Sequence, residues 1–347
     1  MASSLSLSQI DAYLTRMGLD AAEIRGCPVD RPLLDRLQFA HLTTVPYENT
    51  AVHLSPTDQA DEPIVWRSGP GTLIDVQSCF ESIVTARRGG HCFQLNSAFG
   101  ALLRGLGFKI SQHCGRSPAP GSKGSRRPPA GATSIRWWPF HHLVSIVYIG
   151  DERILADVGF GAFSIMQPIA LHQHEPVPSL GGDSWSMRTE PLPLSSPEDQ
   201  LGEPGYTLYR HACDGAMMPW LWVQPCSSMP GDIKMLNFFV TCHDESSTTL
   251  QLCADMFTVD GGRKALCYAP KAAPDGDYSA HALAVPKLPK DKPVSASATA
   301  RYVVKDRHGV VQRTDDVPMT KRAIARAFVD HFGFPDAPRS VSYHPVS

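Results

Sequence analysis

The stretch Arg87-Arg88-Gly89-Gly90-His91-Cys92-Phe93-Gln94-Leu95-Asn96 carries the strongest signal in the chain. Before it, Val76, Cys79, Phe80, Ile83 and Val84 recur at helical spacing behind Asp75, a good N-cap, and Gly89-Gly90 reads as the stop. After it, Leu95, Phe99, Leu102, Leu103 and Leu106 mark a second helix that halts at Gly107. One helix ends and another begins at once, which places Cys92 at or near a helix N-terminus. Unpaired N–H groups and the helix dipole favour negative charge there, and the thiolate is the nucleophilic form of cysteine.

Working outward, the first hundred residues keep the helical pattern. Ile10, Tyr13, Leu14 and Met17 share a face that ends at Gly18. A further helix runs from the cap Asp30 through Leu33, Leu34 and Leu37 to about Leu42, before Val45-Pro46 breaks it. Past Gly107 the period changes. Phe108 to Cys114 and Leu143 to Ile149 read as strands, Gly150-Asp151 as a turn, and Arg153 to Val158 as the returning strand. Short strands are also expected at Asn237–Thr241, Thr248–Leu252 and Ala300–Lys305, with a last helix over Thr320–Phe332. Three Pro-, Gly- or Ser-rich stretches, 117–134, 172–204 and 269–298, read as loops. Helices first, strands next and a mixed tail predict an α+β protein with segregated parts.

A cysteine nucleophile needs a base and a group to hold that base. The hairpin offers both, since His141-His142 opens one strand and Asp157 closes the next. With a two-residue turn at 150–151, Ile149 faces Glu152 and His142 becomes a diagonal neighbour of Asp157. A three-residue turn would bring His141 there instead, and the residues alone leave that choice open. Other motifs fall short. Gly159-Phe160-Gly161 follows a hairpin and has Ser164 where a dinucleotide fingerprint needs glycine. His172 and His174 lack partners at zinc spacing, so no metal site is expected.

Composition narrows the class. The 347 residues are 42% hydrophobic and 19% charged, which excludes a disordered chain. With 32 Lys+Arg against 34 Asp+Glu, the net charge of −2 argues against nucleic acid as a partner. Nine cysteines form no C-x-x-C pair, and an odd, scattered set reads as reduced thiols. No signal-peptide pattern opens the sequence and no apolar run is long enough for a membrane span, so a cytoplasmic protein is expected.

Taken together, these residues resemble the arylamine N-acetyltransferase family. Arg88 to Asn96 looks like the signature around that family's active cysteine. His142-Leu-Val and Asp157-Val-Gly-Phe-Gly161 are similar to its histidine and aspartate segments, fifteen residues apart. Tyr13-x-x-Arg16 and Val45-Pro46-Tyr47-Glu48-Asn49 look like its N-terminal hallmarks. The resemblance implies a cysteine-protease-like core with an N-terminal helical bundle (1–107), a central β-barrel (108–228, with an insert at 172–204) and a C-terminal α/β lid (229–347). It implies a Cys92–His142–Asp157 triad, Phe160 and Phe93 lining the amine pocket, and acyl-coenzyme A as co-substrate, whether acetyl, propionyl or malonyl. The long 117–134 segment and the insert depart from compact members and point to a eukaryotic, fungal-type version. Lys123, Arg126 and Arg127 in that segment are placed to meet coenzyme A phosphates. The order Cys, His, Asp also fits a transglutaminase- or protease-like hydrolase, or a non-catalytic thiol sensor.

Overall fold

Caps define the helices of the first third. In the computed structural model, which describes residues 4–54, 61–67, 69, 71–119, 134–161, 164–198, 200, 202–212, 215–244, 246–268 and 292–335, Ser6 and Gln9 form a reciprocal capping box at α1 (Leu7–Arg16). Asp20 caps α2 (Ala21–Gly26), and Asp30 caps α3 (Arg31–Thr44) by accepting the Leu33 N–H. Next come β1 (Tyr47–Glu48), α4 (Thr50–His53), α5 (Val76–Phe80) and α6 (Cys92–Gly105). Leu14, Leu34, Leu37, Ile83, Phe99 and Leu102 meet in one apolar core between these helices.

The helix before the cysteine does not stop at its glycines. After α5 the chain loosens into a π-helical turn, Glu81–Thr85, capped at Ala86. Gly89 serves a close approach instead: a Cβ there would lie 2.1 Å from the Pro46 carbonyl oxygen. That vacancy lets residues 46–48 run beside 89–90, where the Glu48 N–H donates to the Gly90 carbonyl at 2.9 Å.

Helix α6 is buried along almost its whole length and packs on β2 (Lys109–Arg116) and β3 (His142–Ile149). These strands belong to an antiparallel sheet with β4 (Glu152–Ala156), β5 (Ile169–Ala170), β6 (Val177–Pro178), β7 (Ser184–Glu190), β8 (Gly205–His211) and β9 (Met217–Val223). The order is β5-β4-β3-β2-β9-β8-β7-β6. Val144, Ile146, Trp185, Trp220 and Leu221 form a core within its curl. The expected β-barrel is therefore an open, curled sheet among the described residues: its edges, β5 and β6, are two residues each, and β6 ends in proline. The 172–204 stretch, expected as loop, supplies β6 and β7.

The last third contains α7 (Pro230–Cys242), α8 (Ser247–Leu250), β10 (Leu252–Phe257), β11 (Arg263–Tyr268), β12 (Thr299–Lys305), β13 (Val311–Pro318) and α9 (Lys321–Phe332). Ile324, Ala327, Phe328 and Phe332 lay the apolar face of α9 on the antiparallel sheet β1-β10-β11-β12-β13. β1 comes from the amino-terminal third, with Tyr47 opposite Asp255, so this sheet is stitched to the helical part. Two expected strands are helical. Asn237–Thr241 lies within α7, where Ile233, Asn237 and Val240 share the buried face, and Thr248–Leu250 lies in α8 behind the Ser246 cap. Most of the 117–134 and 269–298 stretches, with Lys123, Arg126 and Arg127, lies outside the described residues.

Candidate active site

Cys92 is the first residue of α6, as its sequence context predicts, and is 5% exposed. Its cap is unusual. The imidazole of buried His91 accepts the Phe93 N–H at Nδ1, 3.4 Å away, while Gln94 Oε1 accepts the His91 N–H. Burial pushes the His91 ring down to about 3, so it is neutral, and Nε2 holds the proton facing the Thr72 hydroxyl at 2.8 Å. A neutral cap satisfies the helix without setting a negative charge beside the thiol. The Cys92 thiol lies 3.5 Å from the His141 carbonyl oxygen and also reaches the His142 ring.

The turn at Gly150-Asp151 decides which histidine meets Asp157. Ile149 pairs with Glu152 and Ser145 with Ala156, the two-residue register, and Gly150 takes the positive φ of 57° that this turn requires. His142 Nε2 then sits 2.7 Å from Asp157 Oδ2, both side chains buried. His141 turns away, its ring on the Pro139 carbonyl and the Ser117 hydroxyl. Because Nε2 is occupied by Asp157, Nδ1 is the nitrogen left for Cys92. Burial opposes charge on His142, yet the Asp157 carboxylate and the sulfur of Cys92 outweigh it and raise the ring to about 10. The ring therefore carries charge at neutral pH, between the sulfur of Cys92 and the side chain of Asp157.

Residues without an assigned role in the sequence reading complete the site. Asn96, one turn after Cys92, donates to the Leu143 carbonyl at 2.6 Å and to Asp157 Oδ1 at 2.9 Å, and accepts the Val158 N–H. Gln38 on α3 accepts the Asp157 N–H at 3.0 Å and donates to the Ile165 carbonyl. Gly159 donates its N–H to Asp157 Oδ1 at 2.8 Å. A Cβ at Gly159 would lie 2.7 Å from Cys92 Cα and 2.5 Å from Asn96 Nδ2. Gly159→Ala is accordingly expected to push the cysteine off the histidine. The expected result is a loss of turnover above tenfold and about 1–3 kcal/mol of stability, read by steady-state rates and thermal melting.

The family model described as N-acetyltransferase matches residues 31–195, a span that holds Gln38, Cys92, Asn96, His142 and Asp157. The match takes in just under half of the chain, which over that span is similar to arylamine N-acetyltransferases. It is similar to the arylamine N-acetyltransferase of Escherichia coli, 34% identical over 47% of this chain and 47% of that one. It is also similar to the N-malonyltransferase FDB2 of Gibberella moniliformis, 33% identical over 40% of this chain and 36% of that one. The chain thus spans about half, or less, of the length of these two relatives. The solved arylamine N-acetyltransferase of Salmonella typhimurium shares the fold, with a TM-score of 0.67 at 18% identity over 98% of this chain and 96% of that one.

Around Cys92 the lining is apolar. The Phe160 ring lies 4.5 Å from that of His142. Phe93 is fully buried and packs with Cys114, Leu143, Ile233 and Val240, while Tyr47, Phe140, Leu236 and Phe239 lie partly buried against the same group. Burial raises the Tyr47 phenol well above its ordinary value, with Cys253 and Cys92 adding to the effect, so it stays neutral beside the thiol. No helix among the described residues is long and apolar enough to cross a membrane.

Proposed function

We propose that the protein is an acyl-coenzyme A-dependent arylamine N-acyltransferase that works by a ping-pong cycle through an acyl-cysteine. The observation that carries this reading is the 2.7 Å His142–Asp157 pair set against a cysteine at the start of a buried helix. A nucleophile at a helix N-terminus facing a histidine on an antiparallel strand is also the arrangement of a cysteine-protease-like core. In the first half-reaction the Cys92 thiolate attacks the thioester carbonyl. The thioester C–S bond breaks, and coenzyme A leaves as a thiol with the proton of the His142 imidazolium. In the second, an arylamine attacks the acyl-cysteine, His142 takes the proton from its nitrogen, and the Cys92 thiolate is released. Asp157 holds the ring in one tautomer throughout. Aryl amines suit this step because they keep a neutral lone pair at pH 7, whereas alkyl amines are protonated. The nearness of the Phe160 ring to that of His142 supports assigning Phe160 to the amine pocket.

The donor is a short acyl-coenzyme A. The named activities of the relatives, N-acetyl and N-malonyl transfer, make acetyl and malonyl the donors to compare. The test is to incubate the protein separately with acetyl-, propionyl- and malonyl-coenzyme A without amine, and to map the adduct by mass spectrometry. A single label on Cys92, discharged by an arylamine to the N-acyl product, is expected. The donor that labels fastest identifies the acyl group. Labels spread over several cysteines, or discharge to free acid regardless of amine, would favour the sensor or hydrolase reading.

A further inference from the structure

A cavity of about 610 Å3 is lined in part by residues 134–140, 192–196 and 202–203, which the catalytic reading leaves unused. Its volume suits a small molecule. Register places it close to the chemistry: in β2, Gly115 pairs with His142, and the next residue, Arg116, pairs with Trp222, which lines the cavity. Phe140 also lines it while packing on the group around Cys92.

The lining has a definite chemistry. The Arg116 guanidinium stacks over the Phe140 ring at 4.0 Å, and the Phe140 and Trp222 rings are 6.3 Å apart. The Trp137 indole N–H donates to the Pro193 carbonyl at 2.9 Å, which fixes that ring across the gap between the two stretches. Arg136 also lines the cavity, is exposed, and has no ion pair among the described residues. Glu203 is the acidic residue among the described lining residues, and Arg136 is the exposed guanidinium. Aromatic faces take a flat ring, and guanidinium forks take phosphate or carboxylate oxygens.

We propose that this cavity is a binding site for a planar aromatic anion, distinct from the amine position beside Cys92. Two sources share that chemistry: the phosphorylated adenosine end of an acyl-coenzyme A, and an aryl amine or effector that carries a carboxylate. The proposal goes beyond the acyl-transfer reading. Its readout is equilibrium binding rather than turnover, so either can fail without the other.

The full chain is titrated with adenosine 3′,5′-bisphosphate, with 3-aminobenzoate and, as the uncharged control, with aniline, by calorimetry at low salt. Saturable binding of at least one anion is expected, with aniline markedly weaker. Arg136→Gln should raise that Kd about three- to fivefold, an effect that shrinks as salt is added. Trp137→Ala should raise it about tenfold or more, while Trp137→Phe, which keeps a ring, should stay within about threefold and guards against a folding defect. Nucleotide binding weakened in both variants assigns the cavity to the donor, and aminobenzoate binding weakened in both assigns it to a carboxylated aryl ligand. Mutually exclusive binding of both shows one shared site. Binding of neither at millimolar concentration, equal binding of aniline, or affinities that neither Arg136→Gln nor Trp137→Ala changes would overturn the proposal.

Discussion

Replacing Cys92 with serine is expected to lower amine acyl transfer by about a thousandfold or more while leaving the fold intact. The substitution removes one polarisable sulfur and keeps the shape. A serine hydroxyl can still donate to the His141 carbonyl that the thiol faces at 3.5 Å, so no buried group loses its partner. What disappears is the anionic nucleophile. A helix N-terminus and a neighbouring imidazolium stabilise an anion on sulfur far more readily than on an alcohol oxygen. Single-turnover acylation followed by intact mass should show no adduct, and thermal melting should stay near the parent value. A variant that still turns over at the parent rate would remove Cys92 from the chemistry and leave the other cysteines to be searched.

The meeting of Cys92, His142 and Asp157 was legible in the sequence because each of them sits on a local signal. Asp75 and the apolar spacing after Cys92 announce helices, and Gly150-Asp151 announces a turn whose length decides between His141 and His142. The residues that support these three were not legible. Asn96 and Gln38 act on residues 61 and 119 positions away, and a polar side chain on a helix carries no mark of a distant partner. His91 gave no cap signal, since the usual caps are Ser, Thr, Asp and Asn. In α7, Asn-Phe-Phe-Val-Thr has the local preference of a strand. It is held as helix by burial of Ile233, Asn237 and Val240 against the cysteine's surroundings, a tertiary reason that outweighs propensity. The glycine pair misled in another way. Gly89 and Gly90 read as a helix stop, but the constraint on Gly89 is the passing chain at Pro46, more than forty residues earlier in the sequence.

Asp157→Asn is the other change with a large expected effect, and the reason lies in what surrounds the carboxylate. Some cysteine triads use asparagine in this role. Here that route is closed. Every hydrogen-bond partner of the Asp157 side chain is a donor: His142 Nε2 at 2.7 Å on one oxygen, Asn96 Nδ2 at 2.9 Å and the Gly159 N–H at 2.8 Å on the other. An asparagine must turn its NH2 toward one side. Facing Asn96 and Gly159, it sets donor against donors in a buried site. Facing His142, it makes Nε2 an acceptor and moves the ring proton to Nδ1, where the base must be free to meet Cys92. Either orientation should lower single-turnover acylation by about a thousand- to ten-thousandfold, in line with losing the tautomer-holding carboxylate elsewhere. A pH signature separates this from simple unfolding. In the parent, the His142 ring is raised from 6.5 to about 10, so its charged form stabilises the fold fully below pH 6.5 and that contribution is lost as pH rises toward 10. Without the carboxylate, burial, the largest effect on that ring, acts against its charge. The melting temperature of Asp157→Asn should therefore lack the decline that the parent shows from about pH 6.5 upward. Parallel melting curves, or a folded variant that acylates at the parent rate, would show that Asp157 does not set the state of His142.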